Sequence, residues 1–356
     1  MTRAPVDLRS DTVTRPTAEM RSAIADAIVG DDVIDVDPTV VELQRRTAEI
    51  LGKEAAIYMP SGTMTNQVAL RVHCKPGDEF LCEADSHIYN YEQGGFAQLS
   101  GLVARTVQGR HGVLRPEQLE GMIRPDNEHY VRTRLLCLEN THNRGGGRVL
   151  PYEGVKVLCR WAHEQGLATH LDGARLFNAV VATGIDAAEW SRHFDSVSVC
   201  LSKGLGAPVG SLLAGSADFV AEARRHRKLF GGGMRQAGII AAAALHALQH
   251  HVERLATDHE HARLLADAVR QCEGLELEPA EVDTNIVIFR VVPAWASAAD
   301  FVQALEARGV RTLPFGPRHV RAVTHLDVAR EDMDFACLQL RQLAAEAPRP
   351  RHSATA

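Results

Sequence analysis

The sequence predicts an α/β protein, a mostly parallel, doubly wound sheet flanked by helices, followed by a smaller C-terminal α+β unit. Two observations carry this. From residue 55 to about 210, short apolar runs alternate with polar loops and helical stretches, as a parallel sheet with crossover helices requires. Beyond an alanine-rich helical region, the pattern restarts near residue 281 as apolar strand-like runs around one helix.

The arm comes first. Residues 1–16, with Asp7-Leu-Arg-Ser-Asp-Thr-Val-Thr-Arg-Pro16, are rich in charge and hydroxyls and read as extended chain, after which a helix runs over Ala18 to Ile28. An acidic loop, Gly30 to Pro38, leads to a helix from Thr39 to Leu51, whose Val40, Leu43, Thr47 and Ile50 recur at helical spacing behind the start signal Asp37-Pro38-Thr39. Ala56 to Pro60 is a strand entering Ser61-Gly62-Thr63 and a helix to about His73. Glu79–Glu83 precedes Asp85-Ser-His87, Leu135–Leu138 precedes the loop Glu139 to Asn143, and a helix over Gly154 to Gln165 separates that strand from Leu167–Asp172. Val197–Leu201 then delivers Lys203 into the glycine-rich turn Gly204-Leu-Gly206. The helical region Ile239 to about Val269 bridges to a small unit made of Glu281–Val291, a helix from Ser297 to Arg308, and Val320–His325. The expected division is an arm at 1–16, a large unit at 17–249, a small unit at 250–345 and a disordered tail at 346–356.

At 356 residues the chain has room for about two domains and a large core. Its 45% hydrophobic and 24% charged residues are ordinary for a soluble globular protein. A net charge of −6 and a pI near 6.3 argue against a nucleic-acid partner, and no basic block is long enough to recruit an anionic membrane. The seven cysteines are scattered, lack Cys-x-x-Cys spacing, and read as buried thiols in a reducing compartment. No apolar run has the length of a membrane span and the first residues lack a signal-peptide core, so the expected location is cytoplasmic. No metal site is expected.

The strand ends carry the chemistry. In open α/β sheets ligands gather beyond the carboxyl ends of the strands, and here those ends present Ser61-Gly62-Thr63, His87, the Glu139–Asn143 loop, Asp172 and Lys203. A lysine at the edge of an apolar sheet is readily desolvated, which favours a nucleophilic amine able to form a Schiff base; the plain alternative is a lysine in a surface turn. Asp172 ends an apolar strand, where a carboxylate needs a cation; a protonated pyridine nitrogen is one such partner, and Arg175 or a helix cap is another. Ser61-Gly62-Thr63 opens a helix, whose free N–H groups and dipole bind phosphate, while the dinucleotide pattern Gly-x-Gly-x-x-Gly is missing after this strand. Together the three features describe a site for pyridoxal 5′-phosphate: aldehyde to Lys203, ring nitrogen to Asp172, phosphate to Gly62 and Thr63. His87 has the side chain to cover a ring and move protons near neutral pH.

At this point a family resemblance is visible. The sequence resembles the low-specificity L-threonine aldolases, of fold type I in the aspartate aminotransferase superfamily, through Asp7–Pro16, Leu138-Glu-Asn-Thr-His-Asn143, His170-Leu-Asp-Gly-Ala-Arg-Leu-Phe-Asn178, Leu201–Gly210, Gly231-Gly-Gly-Met-Arg-Gln236 and Val323-Thr-His-Leu-Asp327. The resemblance implies a seven-stranded sheet in the large unit, a Schiff base to Lys203, Asp172 on the pyridine nitrogen, His87 stacked on the ring, and Gly62 and Thr63 on the phosphate. It also implies that Ser10, Arg175 and Arg321 hold the substrate carboxylate, a task suited to arginine's planar fork, and that Arg175 takes part in cofactor binding as well. His129 matches a second family histidine near the β-substituent, and Arg235 is placed to reach the phosphate from a neighbouring subunit of a tetramer built from dimers.

The chain departs from the family in its acidic loop. Where many members carry a tyrosine followed by Gly-(Asp/Glu)-Asp-Pro, this chain has Val33-Ile-Asp-Val-Asp-Pro38, so Ile34 replaces the phenol. The implied reaction is reversible cleavage of an L-3-hydroxy-α-amino acid, threonine or allo-threonine, into glycine and an aldehyde, with His87 the first candidate for the β-hydroxyl base and His129 the second. Competing readings are another fold type I enzyme (a β-eliminating lyase, a racemase or a serine hydroxymethyltransferase-like enzyme), a non-catalytic protein that binds the cofactor, and a nucleotide-dependent oxidoreductase.

Overall fold

Among the described residues thirteen strands are formed: β1 (Val6–Asp7), β2 (Ala55–Met59), β3 (Glu79–Glu83), β4 (Val103–Val107), β5 (Thr133–Glu139), β6 (Ala168–Gly173), β7 (Ser196–Cys200), β8 (Ser211–Gly215), β9 (Leu275–Leu277), β10 (Ile286–Val291), β11 (Val310–Arg311), β12 (Leu313–Pro314) and β13 (His319–Val323). The structure, a computed structural model, describes residues 3–292 and 295–346. The seven central strands form one sheet in the order β2-β8-β7-β6-β5-β3-β4. Only β8 runs against its neighbours, pairing antiparallel with both β2 and β7. The inner strands β3, β7 and β8 are buried along their whole length, which a parallel sheet covered by helices on both faces demands.

Local chemistry sets the helix ends. Asp37 caps the helix Pro38–Leu51 by accepting from the N–H groups of Thr39 and Val40, Pro38 occupies the first turn, and Gly52 closes it with φ of 60°. The helix expected to reach Ile28 stops at Ala25, and Ile28 is exposed with no core to continue along. The alanine-rich region is two helices, Gly238–His250 and Leu255–Arg270. In the segment from Glu281 only Ile286–Val291 is strand, because Asp283 and Thr284 bond instead to the loop at Gly147–Val149. The edge strand β4, the reversed strand β8 and the last helix, Arg330–Glu346, were not signalled by the pattern.

The C-terminal strands form a second, antiparallel sheet, β12-β13-β10-β9, with its own apolar cluster that includes Phe289, Phe301 and Leu340. The arm joins this cluster: β1 pairs in parallel with β11, and Leu8 is fully buried. It then crosses to the large sheet, where the Thr14 hydroxyl donates to the Lys203 carbonyl at 3.1 Å. The tail expected from 346 lies, from 347 onward, outside the described residues. Among the described residues no helix is long and apolar enough to cross a membrane.

Candidate active site

Beyond the carboxyl ends of β2, β3, β6 and β7 lies a cavity of about 300 Å³ whose walls include Gly62, Thr63, Asn66, His87, Asp172 and Lys203. The first turn of the helix Gly62–His73 supplies one wall. Ser61 caps it, its hydroxyl taking the N–H of Met64 and its carbonyl that of Thr65, which leaves the N–H groups of Gly62 and Thr63 for a ligand. A Cβ on Gly62 would stand 2.6 Å from the Cys200 sulfur, so the turn is pressed against β7 in a way only glycine allows.

Asp172 forms the floor. Its buried carboxylate accepts from Asn66 Nδ2 at 2.8 Å on Oδ2 and from the Ala174 N–H at 3.1 Å on Oδ1. Burial raises its pKa, but the charges of His87 and Lys203 and the bond from Asn66 outweigh this, and the carboxyl is held below its ordinary value. His87 starts the short helix His87–Asn90; its N–H donates to Glu139 at 2.6 Å and its Nδ1 lies 3.1 Å from Glu92 Oε1. Burial lowers the imidazole's pKa, yet Glu92, Asp172 and Glu139 together carry it above the usual histidine value.

A second cavity, about 510 Å³, opens beside the first and is lined by His87, Tyr91, Asn143, Arg144, Phe315 and Arg321, among others. Here the two arginines differ. Arg175 is buried and doubly bonded to Asp11 of the arm, both contacts at 2.7 Å. Arg321 donates to Asn143 Oδ1 at 3.0 Å and to the Arg9 carbonyl at 3.3 Å, and its buried Nε has no acceptor among the described residues. Burial and the neighbouring Arg175 push its guanidinium down to about 10. A buried cation bonded only to neutral oxygens is a receptor for an anion.

These groups fit pyridoxal phosphate. The glycine-tight helix start matches a phosphate, the buried ionised carboxylate a protonated ring nitrogen, and Lys203, on the same cavity, an aldehyde. Of the residues singled out in the sequence, Gly62, Thr63, His87, Asp172 and Lys203 share one cavity. Arg321 lies on the adjoining one, and Arg175 is within reach of the same Asn143 oxygen at 3.4 Å. Ser10 caps a short turn of the arm by accepting from Thr12. Two residues stay apart. His129 sits on a surface loop with its side chain 77% exposed. Arg235 is 55% exposed and bonded to Asp31 of the acidic loop at 3.0 Å. Sequence reasoning missed Glu92, Asn66 and Asp11; the side-by-side amides Asn66 and Gln67 on an otherwise apolar helix face were the available signal.

The fold and this cavity put the molecule in fold type I of the pyridoxal-phosphate enzymes. The chain belongs to the beta-eliminating lyase family, whose sequence profile matches residues 7–292, and within it to the low-specificity L-threonine aldolases. It is 46% identical to the low specificity L-threonine aldolase of Escherichia coli (strain K12), over 92% of this chain and 96% of that one. It is 45% identical to the probable low-specificity L-threonine aldolase 2 of Arabidopsis thaliana, over 93% and 94%. Its fold is similar to that of a putative L-allo-threonine aldolase from Listeria monocytogenes EGD-E, with a TM-score of 0.81 at 22% identity over 96% of each chain.

Proposed function

We propose that this chain is a carbon-carbon lyase that reversibly cleaves L-threonine, L-allo-threonine and related L-3-hydroxy-α-amino acids to glycine and an aldehyde, with pyridoxal phosphate as cofactor. The observation that carries this reading is the 46% identity, over 92% of the chain, to a protein of that name. When bound, the cofactor supplies an electron sink for a bond broken at the Cα of an amino acid.

In this reading Lys203 is the amine for the cofactor's aldehyde carbon, Gly62 and Thr63 hold the phosphate, Asp172 keeps the ring nitrogen protonated and His87 covers the ring. Arg321 binds the substrate carboxylate as a buried cation without an acidic partner among the described residues, backed by Asn143, Arg175 and the Ser10 segment of the arm. Fixing the carboxylate decides which bond at Cα can break. His87 Nε2 takes the β-hydroxyl proton; His129 is the second candidate, and needs its loop to fold over the cavity.

The same reading divides the chain into a catalytic unit at 17–249 and a unit at 250–345 that brings Arg321. A homotetramer, with Arg235 serving a neighbour's phosphate, is supported by the apolar side chains left exposed around the acidic loop, Ile28, Val29, Ile34 and Val36, with Ile34 78% exposed. Seven buried, unpaired thiols support a cytoplasmic setting. The family's description favours one other reaction, β-elimination. Product analysis with L-threonine separates the two: glycine and acetaldehyde in equal amounts support the aldolase, while ammonia and a 2-oxo acid overturn it.

A further inference from the structure

Glu92 has no part in the roles given above. It lies in the loop between the helices His87–Asn90 and Gly95–Ser100, and its side chain is 0% exposed. Three side chains bond to it: Asn66 Nδ2 at 2.8 Å and His87 Nδ1 at 3.1 Å on Oε1, and Gln67 Nε2 at 2.5 Å on Oε2. The Asn66 amide uses its second N–H for Asp172 Oδ2, while its carbonyl oxygen accepts from Ser198 and lies 3.1 Å from His170 Nε2. His87, Glu92 and Asp172 thereby bring one polar atom each within 4.8 Å of one another.

This is a costly arrangement for a structural role alone. Two amides need only a neutral acceptor, whereas a carboxylate placed here loses its hydration and faces a second carboxylate, Asp172. What a carboxylate adds is a strong acceptor for an imidazole N–H and a counter-charge for an imidazolium. The groups around His87 are Glu92 and Tyr91 on its own segment, Glu139 from β5, Asp172 from β6, Lys203 past β7 on the same cavity, and Arg144 and Arg321 on the adjoining one.

We propose that Glu92 is a positioning residue for the proton transfer. It accepts the Nδ1–H of His87, which leaves the lone pair on Nε2, and it holds the imidazolium formed when Nε2 takes the substrate's β-hydroxyl proton. In that step the O–H bond breaks and an Nε2–H bond forms. The freed O–H pair closes the aldehyde C=O, and the Cα–Cβ pair stays with the glycine fragment, which then takes up a proton. The inference rests on the aldolase reading through the role of His87.

The test pairs nuclear magnetic resonance with kinetics. In apoprotein labelled with ¹⁵N-histidine, the neutral form of His87 is expected as the Nδ1–H tautomer, with a midpoint that falls in Glu92→Gln. In holoenzyme, Glu92→Gln should lower kcat/KM for L-threonine by on the order of 10²-fold. It should also move the acid limb of the pH profile downward, because a negative charge that raises the histidine's pKa has been removed. Glu92→Asp should restore most of both. An unmoved midpoint and limb, even with reduced activity, overturn the proposal by making Glu92 merely structural. If Glu92→Gln fails to fold, the wild-type tautomer decides, and Nε2–H overturns it. A wild-type holoenzyme that cleaves no 3-hydroxy amino acid overturns the aldolase reading and this role with it. An active enzyme with an unmoved limb overturns only the role of Glu92.

Discussion

Asp11 of the N-terminal arm and Arg175, just past β6, are joined by two hydrogen bonds of 2.7 Å, and both side chains are buried. Burial raises the Asp11 pKa, but the Arg175 charge and hydrogen bonds, with Lys203 and Asn285, hold the carboxyl far below its usual range. The arm is thus tied by a charge pair to the turn just past β6. Asp11→Asn strands the guanidinium, and removing one partner of a buried pair costs about 3–5 kcal/mol. Denaturant unfolding of the apoprotein checks this; a loss below ~1 kcal/mol would show that the pair is not holding the arm.

The same pair leaves Arg321 as the cation open to an anion. Charge-assisted hydrogen bonds contribute about 1.5–3 kcal/mol each, so Arg321→Lys, which loses the planar fork, should raise KM for L-threonine by on the order of 10²-fold, with a smaller change in kcat. Steady-state kinetics decide it. An unchanged KM would assign the substrate carboxylate elsewhere.

Gly62→Ala tests the phosphate cradle. The added methyl would stand 2.6 Å from the sulfur of Cys200, on a fully buried strand with little room to shift. The helix start or the Cys200 side chain must then shift, and both line the cavity. Titration with pyridoxal phosphate, followed by visible absorbance, should give a Kd at least ~10-fold weaker; wild-type affinity would remove Gly62 from the phosphate site.

Stability should fall with acid above the range in which ordinary carboxylates titrate. Burial lowers His73 and His259 to about 4 and His170 to about 3. Their pKa values in the unfolded chain are near ~6.5. Between these limits the unfolded chain binds more protons, so these residues contribute full stability above pH ~6.5 and lose it as pH falls toward their folded values. Asp258, pushed up to about 6 by burial, opposes them, because its protonated form is favoured in the folded state. His87 and His142 lie above their ordinary values, and what they add is lost as pH rises. With the three depressed histidines dominating, Tm should decline steadily from pH 6.5 to 4.5; a flat Tm across that window would contradict their burial as neutral rings.

The site was legible where chemistry sits at the end of an apolar run. Asp172 lies at the end of a strand and Lys203, His87 and Gly62-Thr63 each follow one, and a parallel sheet brings such ends to one edge whatever the intervening sequence. Glu92 follows no strand and obeys no period; its burial comes from packing against Asn66 and Gln67, which the chain order does not reveal. Asp11 and Arg175 were both visible as charged residues, but not as partners 164 positions apart. Strand β8 escaped because its segment, Ser211-Leu-Leu-Ala-Gly215, carries no chemistry at its end and runs against the parallel pattern on either side. His129 and Arg235 were carried by resemblance alone, and neither lines either of the two cavities described above.

The proposed function turns on Lys203 as the anchor of an aldolase's cofactor. Its most direct test follows glycine release from L-threonine and visible absorbance together, in the wild type and in Lys203→Ala, each with added pyridoxal phosphate. The wild type should give a protein-bound chromophore and stoichiometric glycine and acetaldehyde, and the variant neither. Substantial glycine release by Lys203→Ala, or a wild type that binds the cofactor and releases no glycine, would contradict it.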